Sequence, residues 1–328
     1  MPSEFQATQQ PGRAGAHIQQ ARPSVNRRLL FLAALLSGGS LVSMTPPAWA
    51  AERPVFDPQK LLDRMFGEET EADQQALAAI LVSAEEERRI GRAATEAFRA
   101  SLRQRGLTVA TGGGNFRYLE ELVALIRPKM TNADRYPTIQ IYVITTPQCN
   151  AWAMPGGTIF FCRGLLQRSP SEAAVVGLVG HELSHLDRGH LLGRVRRLKL
   201  AQQTFAAPDG VTPEQFFDAG SRLMETWTHP FHPKEEAQAD ADGARWAYEA
   251  GYDCRELGRL FLLAAPRGEA PLPPICDFLR SHPDAKSRNE AILKIYKQEQ
   301  QADPKPRLYV GKENLRRRIS KAEQEFPE

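Results

Sequence analysis

The chain has 328 residues, of which 25% are charged and 42% are hydrophobic. These fractions are close to the average of folded proteins, so they exclude a collagen-like, coiled-coil or disordered description of the whole chain. The formal net charge of +3 comes from residues 1–50, where four arginines oppose one glutamate. Because the remainder carries no net charge, its charge gives no reason to expect nucleic acid or an anionic membrane as a partner.

The first predicted element is an export signal over residues 1–50. Arg27 and Arg28 precede the apolar run Leu29–Leu36, and the triplet Ala48-Trp49-Ala50, which has a small residue at each end, follows two prolines. This order is typical of a secretory signal peptide, and we expect cleavage after Ala50. A retained membrane anchor is the alternative, but the unbroken apolar stretch is short for a membrane span. The paired arginines leave twin-arginine export open. We therefore expect a periplasmic or otherwise exported mature protein.

The mature chain is predicted to contain an N-terminal helical segment at 51–83, a compact domain at 84–298 and a charged tail at 299–328. Hydrophobic periodicity and turn residues predict the following elements in chain order: a helix near Ala72–Val82, a long helix over Ala84–Arg105 capped by Ser83, a helix near Arg117–Ile126, a strand over Thr138–Val143, and a second apolar stretch over Trp152–Phe161 that a turn or bulge at Pro155-Gly156-Gly157 splits. Further helices are predicted over Ser171–Leu192, Pro233–Ala250, Leu257–Ala265 and Asp284–Glu299. Residues 201–230 are ambiguous and fit either a lid or a surface helical insertion. The predicted fold class is α+β, mostly helical with a small β-sheet.

Four cysteines follow the predicted signal. An even number of cysteines in an exported chain favours disulfides. Pairing of near neighbours would join Cys149 to Cys162 and Cys254 to Cys276. Four buried thiols are the alternative, and the spacing does not match a zinc knuckle.

The segment His181-Glu182-Leu183-Ser184-His185 lies in the predicted helix 171–192. Residues four apart on an α-helix project from nearly the same face, so the two imidazoles can bind one Zn²⁺. Glu182 is next to the first histidine, where it can act as general base on water without being a ligand. A solvent-facing polar stretch is the alternative. The residues before His181 are almost wholly apolar, however, which indicates a buried helix where unpartnered polar groups would be costly.

A catalytic zinc needs a third protein ligand. The extended metzincin pattern is absent, which leaves a glutamate on a later helix. Glu236 and Asp240 are four apart and share one face of the predicted helix 233–250. One of them can bind the metal while the other accepts the free N–H of a histidine ligand. On spacing alone, Glu235 and Asp242 are competitors.

Several motifs together carry a family resemblance. H-E-L-S-H followed by E-x-Q-A-D resembles the gluzincin zinc peptidases that include the CAAX prenyl proteases, HtpX and BepA. The same resemblance extends to N-A-W-A-M-P-G-G at Asn150–Gly157, E-x-x-x-G within Glu86–Gly91, the histidine at His190, and H-P…R formed by His282, Pro283 and Arg288. It covers about residues 84–297. Because no later stretch reaches membrane-spanning length, we expect a soluble, exported, stand-alone member.

The resemblance implies a zinc endopeptidase with one zinc ion per chain. His181, His185 and Glu236 would bind the metal. Glu182 would activate water, and Asp240 would support a histidine ligand.

The resemblance also implies roles for residues other than the expected metal ligands. An edge strand would pair with a substrate peptide through its backbone. That strand comprises Asn150, Ala151, Trp152, Ala153 and Met154. His282 would either stabilise the oxyanion or cap the zinc, and Arg288 would orient His282 or pair with an acidic residue.

The predicted function is hydrolysis of unfolded or misassembled proteins in the cell envelope, as protein quality control. The expected partners are protein or peptide substrates and envelope proteins, with neither nucleic acid nor a membrane span after signal cleavage. An alternative is a latent or chaperone-like binding protein whose zinc site is capped by His282. A scaffold with a degenerate site is disfavoured because the H-E-x-x-H motif is intact.

Overall fold

A computed structural model describes residues 71–204, 227–264 and 285–328, which form α-helices around one small sheet. This is the predicted α+β class. The helices are α1 (Glu71–Ala79), α2 (Ala84–Gln104), α3 (Gly114–Ile126), α4 (Arg163–Arg168), α5 (Glu172–Asp187), α6 (His190–Thr204), α7 (Pro233–Glu249), α8 (Arg255–Ala264), α9 (Ala285–Ala302) and α10 (Lys312–Arg317). The strands are β1 (Val109–Ala110), β2 (Gln140–Ile144), β3 (Ala151–Met154) and β4 (Thr158–Cys162).

Most predicted elements are present with ends shifted by a few residues. Helix α2 begins where its cap predicted, because the hydroxyl of Ser83 accepts a hydrogen bond from the backbone of Glu86 at 3.1 Å. Helix α1 ends at Ala79 rather than Val82. Its last predicted residues instead leave the helix, and Ile80 and Val82 bury their side chains in the core.

The sheet has the strand order β1-β2-β4-β3, which leaves β3 at an edge. Strand β2 is parallel to β4, and the other two pairs are antiparallel. Of the turn and the bulge predicted at Pro155-Gly156-Gly157, the structure has the turn, and Gly156 and Gly157 both adopt positive φ in it. Side chains of β4 alternate between two core clusters, one on each face of the sheet.

The β3–β4 turn is fixed by helix α2. Glu87 is buried, and its carboxylate accepts hydrogen bonds from the backbone of Gly156 at 3.2 Å, the hydroxyl of Tyr136 at 2.9 Å and Nε of Arg135 at 2.7 Å. One turn further along α2, a Cβ at Gly91 would overlap the carbonyl oxygen of Pro155. The E-x-x-x-G motif therefore seats the edge hairpin against α2.

The predicted single helix over Ser171–Leu192 is wrong at its C-terminal end. Helix α5 ends at Asp187, and α6 begins at His190. Gly189 adopts φ +74° between them, and its backbone N–H bonds the carbonyl of Leu186 at 3.0 Å. A glycine in the left-handed region commonly ends a helix. After this break, the side chain of His190 lies against that of His185.

Helices α5 and α7 approach each other through glycines. All residues of α5 are buried. A Cβ at Gly180 would lie 2.8 Å from Cα of Gly243, and a Cβ at Gly243 would overlap the carbonyl oxygen of Gly177 and lie 2.9 Å from the backbone nitrogen of His181. This contact brings Glu236 and Asp240, on α7, opposite the histidines of α5.

The C-terminal segment packs against the start of α5. The buried carboxylate of Glu172 accepts hydrogen bonds from the hydroxyl of Tyr252 at 2.7 Å and the backbone of Lys321 at 2.9 Å. Tyr309 is buried and bridges to Tyr252. The charged tail thus contributes apolar anchors to the domain as well as its charges.

The Cys149–Cys162 disulfide predicted from spacing is not formed. Cys149, Cys162 and Cys254 are buried thiols. Cys149 belongs to the core cluster on one face of the sheet and Cys162 to the cluster on the other face, which explains why spacing in the chain misled. Cys276 lies outside the described residues, as do His282, the predicted signal and most of residues 201–230. Among the helices described, none is both long and apolar enough to cross a bilayer.

Candidate metal centre

Three buried side chains from two helices converge in the domain. His181 and His185 project from α5, and Glu236 projects from the first turn of α7. The two Nε2 atoms lie 3.2 Å apart. The carboxylate of Glu236 lies 3.5 Å from Nε2 of His181 and 3.9 Å from Nε2 of His185. One atom from each residue lies within 4.8 Å of the others, so His181, His185 and Glu236, called the metal group below, can hold a metal ion.

His181 is oriented by an ion pair behind it. Its Nδ1 lies 3.0 Å from Oδ1 of Asp240, and Arg288 on α9 donates to both oxygens of that carboxylate at 2.6 Å. Burial favours a higher pKa for Asp240, but the charge and hydrogen bonds of Arg288 outweigh it and hold the pKa well below its usual range. Asp240 is therefore ionised and accepts the Nδ1–H. The lone pair of Nε2 then faces Glu236, as metal binding requires.

Of the two roles expected for Arg288, the structure contains the pairing with an acidic residue. The guanidinium also lies 3.7 Å from the centre of the Phe261 ring, which holds it in place. The other expected role concerns His282, which lies outside the described residues.

His185 has a different set of neighbours. Its Nδ1 lies 2.9 Å from Nδ1 of His190, whose Nε2 lies 3.1 Å from Oε1 of Gln238. The ring of Phe231 stacks on His185 with a centroid distance of 3.9 Å and an interplanar angle of 15°. The guanidinium of Arg194 lies 3.6 Å from the centre of the Phe231 ring.

Sequence reasoning missed Phe231 and Gln238. Gln238 stands between Glu236 and Asp240 in the E-x-Q-A-D segment, so its place in the motif was a usable signal. Phe231 precedes α7 in a proline-flanked loop and carried no local signal. Only the fold shows that it stacks on His185.

Glu182 is buried beside the metal group. Burial first, and then the nearby charge of Glu236, raise the pKa of Glu182 to about 8, while a hydrogen bond from the backbone of Ala153 opposes them. Burial likewise raises the pKa of Glu236 to about 7 against the opposing charges of His181 and Arg288. A divalent cation would stabilise both carboxylates as anions. Two imidazoles and one carboxylate form a donor set of catalytic zinc sites, so the residues fit zinc.

The two competing carboxylates have other partners. Glu235 accepts a hydrogen bond from the backbone of His232 at 3.0 Å and so caps the start of α7. Asp242 accepts from the hydroxyl of Ser184 at 2.7 Å and from Nη2 of Arg188 at 2.8 Å. Both serve to position helices, which leaves Glu236 as the carboxylate facing the histidines.

Strand β3 borders the metal group through its outer edge. The backbone of Cys162 donates to the carbonyl of Asn150 at 2.9 Å, which fixes which residues of the edge strand bond to β4. Alternation then turns the backbone groups of Ala151 and Ala153 away from β4. The side chain of Asn150 accepts from the backbone of Ala151 at 2.9 Å, and the backbone of Ala153 bonds Glu182.

Comparison with known proteins identifies the family. Residues 116–296, more than half of the chain, match the model of Peptidase family M48. The Mitochondrial metalloendopeptidase OMA1 of Arabidopsis thaliana is 30% identical over 161 residues, covering 47% of this chain and 30% of that relative. Metalloendopeptidase OMA1, mitochondrial, of Danio rerio is 23% identical over 197 residues, covering 55% of this chain and 40% of that relative.

The matched parts are thus less than half of either relative. The family match includes the H-E-x-x-H motif, Glu236 and Arg288. It confirms the resemblance inferred from the motifs, and zinc is the metal that peptidases of this family use. The chain therefore belongs to peptidase family M48, a family of zinc metallopeptidases.

Proposed function

We propose that this protein is a zinc-dependent endopeptidase that hydrolyses unfolded or misassembled proteins of the cell envelope. The observation that carries the proposal is the convergence of His181, His185 and Glu236 beside the buried carboxylate of Glu182. The edge strand that borders this group offers a place for an extended substrate.

His181, His185 and Glu236 would hold the zinc ion, which when bound polarises the scissile carbonyl and makes water more acidic. Glu182 acts as the proton carrier of the reaction. Its carboxylate accepts a proton from the attacking water and delivers it to the amine that leaves. The backbone of Ala153 bonds Glu182, so the edge strand also orients the base.

Selection for unfolded substrates follows from the edge strand. The outward N–H groups of Ala151 and Ala153 bond Asn150 and Glu182, so a peptide would pair with the outward carbonyl groups of this strand, and only if that peptide is extended and has unpaired backbone groups of its own. Segments inside folded proteins are either not extended or have backbone groups that are already paired. The strand from Asn150 to Met154 therefore supports recognition of backbone rather than of one side-chain sequence.

The location is proposed from the sequence of residues 1–50. A cleaved signal would deliver the enzyme to the periplasm or another exported compartment, where envelope proteins are its substrates and partners. N-terminal sequencing of the protein from fractionated cells tests this. A mature chain that begins near Ala51 in the envelope fraction is expected, and an uncut chain in the cytoplasm would contradict it.

The catalytic proposal is tested with the purified protein and unfolded casein. Wild-type protein should contain one zinc ion per chain and cleave casein, whereas Glu182→Gln should keep the zinc and lose cleavage. Glu235→Gln is the matched control, because the neighbouring glutamate caps α7 and an amide oxygen can still accept that hydrogen bond. Equal cleavage by wild type and Glu182→Gln would refute the assigned base.

The role proposed for His282 rests on the family resemblance and has two forms. If His282 stabilises the oxyanion, His282→Ala lowers kcat. If it caps the zinc of a latent enzyme, the same variant gains activity. A variant with unchanged kinetics would contradict both forms.

A further inference from the structure

The two histidines of the H-E-x-x-H motif are backed by chemically different partners. Behind His181 stands the carboxylate of Asp240, itself paired with Arg288. Behind His185 stands a second imidazole, that of His190. An imidazole can donate or accept at Nδ1 depending on its tautomer, so it does not by itself decide which nitrogen of His185 carries the proton.

The tautomer of His185 depends on the residue that lies beyond His190. Oε1 of Gln238 lies 3.1 Å from Nε2 of His190 and can only accept, so Nε2 of His190 carries the proton. Neutral His190 then has a bare Nδ1, which lies 2.9 Å from Nδ1 of His185 and accepts a proton from it. With its proton on Nδ1, His185 presents the lone pair of Nε2 to the metal group. If the amide of Gln238 were turned the other way, its N–H would donate to Nε2 of His190, and His185 would then carry its proton on Nε2, the nitrogen that faces Glu236.

We propose that Gln238 and His190 are positioning residues for zinc binding, forming a hydrogen-bonded relay that sets the tautomer of His185. This inference rests on the proposed role of His185 as a zinc ligand. The stacked ring of Phe231 fixes the plane of His185, so the relay has only the proton position left to determine.

The surroundings of Gln238 allow the relay to be reversed by substitution. Gln238 and His190 line an open cleft of about 730 Å³, together with Lys234 and Glu235. A longer or charged side chain at position 238 therefore has room without repacking the core. The cleft also means that the relay ends at solvent rather than in the apolar interior.

Substitutions at position 238 test the relay because they change donor and acceptor character. Gln238→Glu keeps an acceptor facing His190, so zinc affinity should stay near that of wild type. Gln238→Lys offers only donors, which favours N–H on Nε2 of His185 and should weaken zinc binding about 10–100-fold. Competition with a chromophoric chelator measures both affinities, and thermal unfolding of the zinc-free proteins should be unchanged.

Two controls separate the relay from a simple charge effect. Ala237→Lys adds the same charge at an exposed neighbouring position and should leave zinc affinity near wild type. In a His190→Ala background the relay is broken, so adding Gln238→Lys should cause no further loss. A loss that persists in this background, or an equal loss in Ala237→Lys, would overturn the relay in favour of charge repulsion.

Nitrogen-15 spectra of histidine-labelled protein give a second readout. Zinc-loaded wild type should show His185 protonated at Nδ1 and His190 protonated at Nε2. The opposite assignment for His190, or unchanged zinc affinity in Gln238→Lys, refutes the relay alone. Failure of wild-type protein to bind zinc would instead refute the proposed function, so the two failures are distinguishable.

Discussion

Glycine at position 243 allows α7 to lie against α5, and we predict that Gly243→Ala impairs zinc binding more than folding. A Cβ there would overlap the carbonyl oxygen of Gly177 and lie 2.9 Å from the backbone nitrogen of His181. Both are main-chain atoms of a buried helix, so no rotamer change can relieve the overlap. The helices must separate by roughly 0.5–1 Å to restore ordinary contact distances.

The expected stability change is modest. Overpacking of a core contact costs about 1–3 kcal/mol of unfolding free energy. Because alanine is a better helix former than glycine, the substitution offsets about 1 kcal/mol of this cost. Urea unfolding of the zinc-free variant should therefore give a net loss of about 0–2 kcal/mol.

The expected change in zinc affinity is larger. Glu236 and Asp240 lie on the displaced helix, and metal–ligand distances tolerate deviations of only about 0.2 Å. Chelator competition should therefore show zinc bound roughly tenfold more weakly, or worse. The matched control is Gly193→Ala in α6, where a Cβ meets nothing within 4 Å. It should stabilise the fold by up to about 1 kcal/mol and leave zinc affinity unchanged. If Gly243→Ala matches this control in both measurements, the close-contact reasoning is wrong.

Three further predictions follow from the buried charges. Arg288→Met leaves Asp240 buried without its ion pair and should cost about 3–5 kcal/mol in urea unfolding. Because Arg288 depresses the folded pKa of Asp240, the stabilisation from this pair is present above the unfolded pKa and lost as pH falls through the folded pKa; the stability deficit of Arg288→Met should therefore be largest near neutral pH and shrink as pH falls, and a deficit that grows in acid would contradict this. Glu87→Gln loosens the β3–β4 turn, so steady-state kinetics should show KM rising more than kcat falls, and an unchanged KM would contradict this. Zinc binding near pH 6 should release protons, because the pKa values of Glu182 and Glu236 are raised to about 8 and 7 without metal. Calorimetry in two buffers with different ionisation enthalpies measures this release. A release that does not decline toward pH 9 would contradict the prediction.

The parts of the fold that are local in sequence were predictable. Apolar periodicity and caps located α2 and α7 because helix starts depend on neighbouring residues. The Pro155-Gly156-Gly157 turn was predictable because glycine adopts positive φ at little cost. The metal group was also accessible, since a spacing of four residues fixes a shared helix face whatever the tertiary structure.

Features that depend on contacts between distant segments were not predictable. From the sequence alone, Gly243 in α7 is only a weak helix former, and the folded chain is needed to show that it allows α5 to approach. The break at Gly189 was missed because apolar residues continue on both sides of it. The stacking of Phe231 on His185 joins segments that are separate in sequence.

X-ray absorption spectroscopy at the zinc edge of the purified protein tests most directly whether His181, His185 and Glu236 hold a zinc ion. We expect nitrogen and oxygen ligands at about 2.0–2.2 Å, with two imidazoles in the outer scattering. In Glu236→Ala the spectrum should lose one oxygen ligand or the zinc altogether. Sulfur ligands at about 2.3 Å, or a spectrum that is identical in wild type and Glu236→Ala, would contradict it.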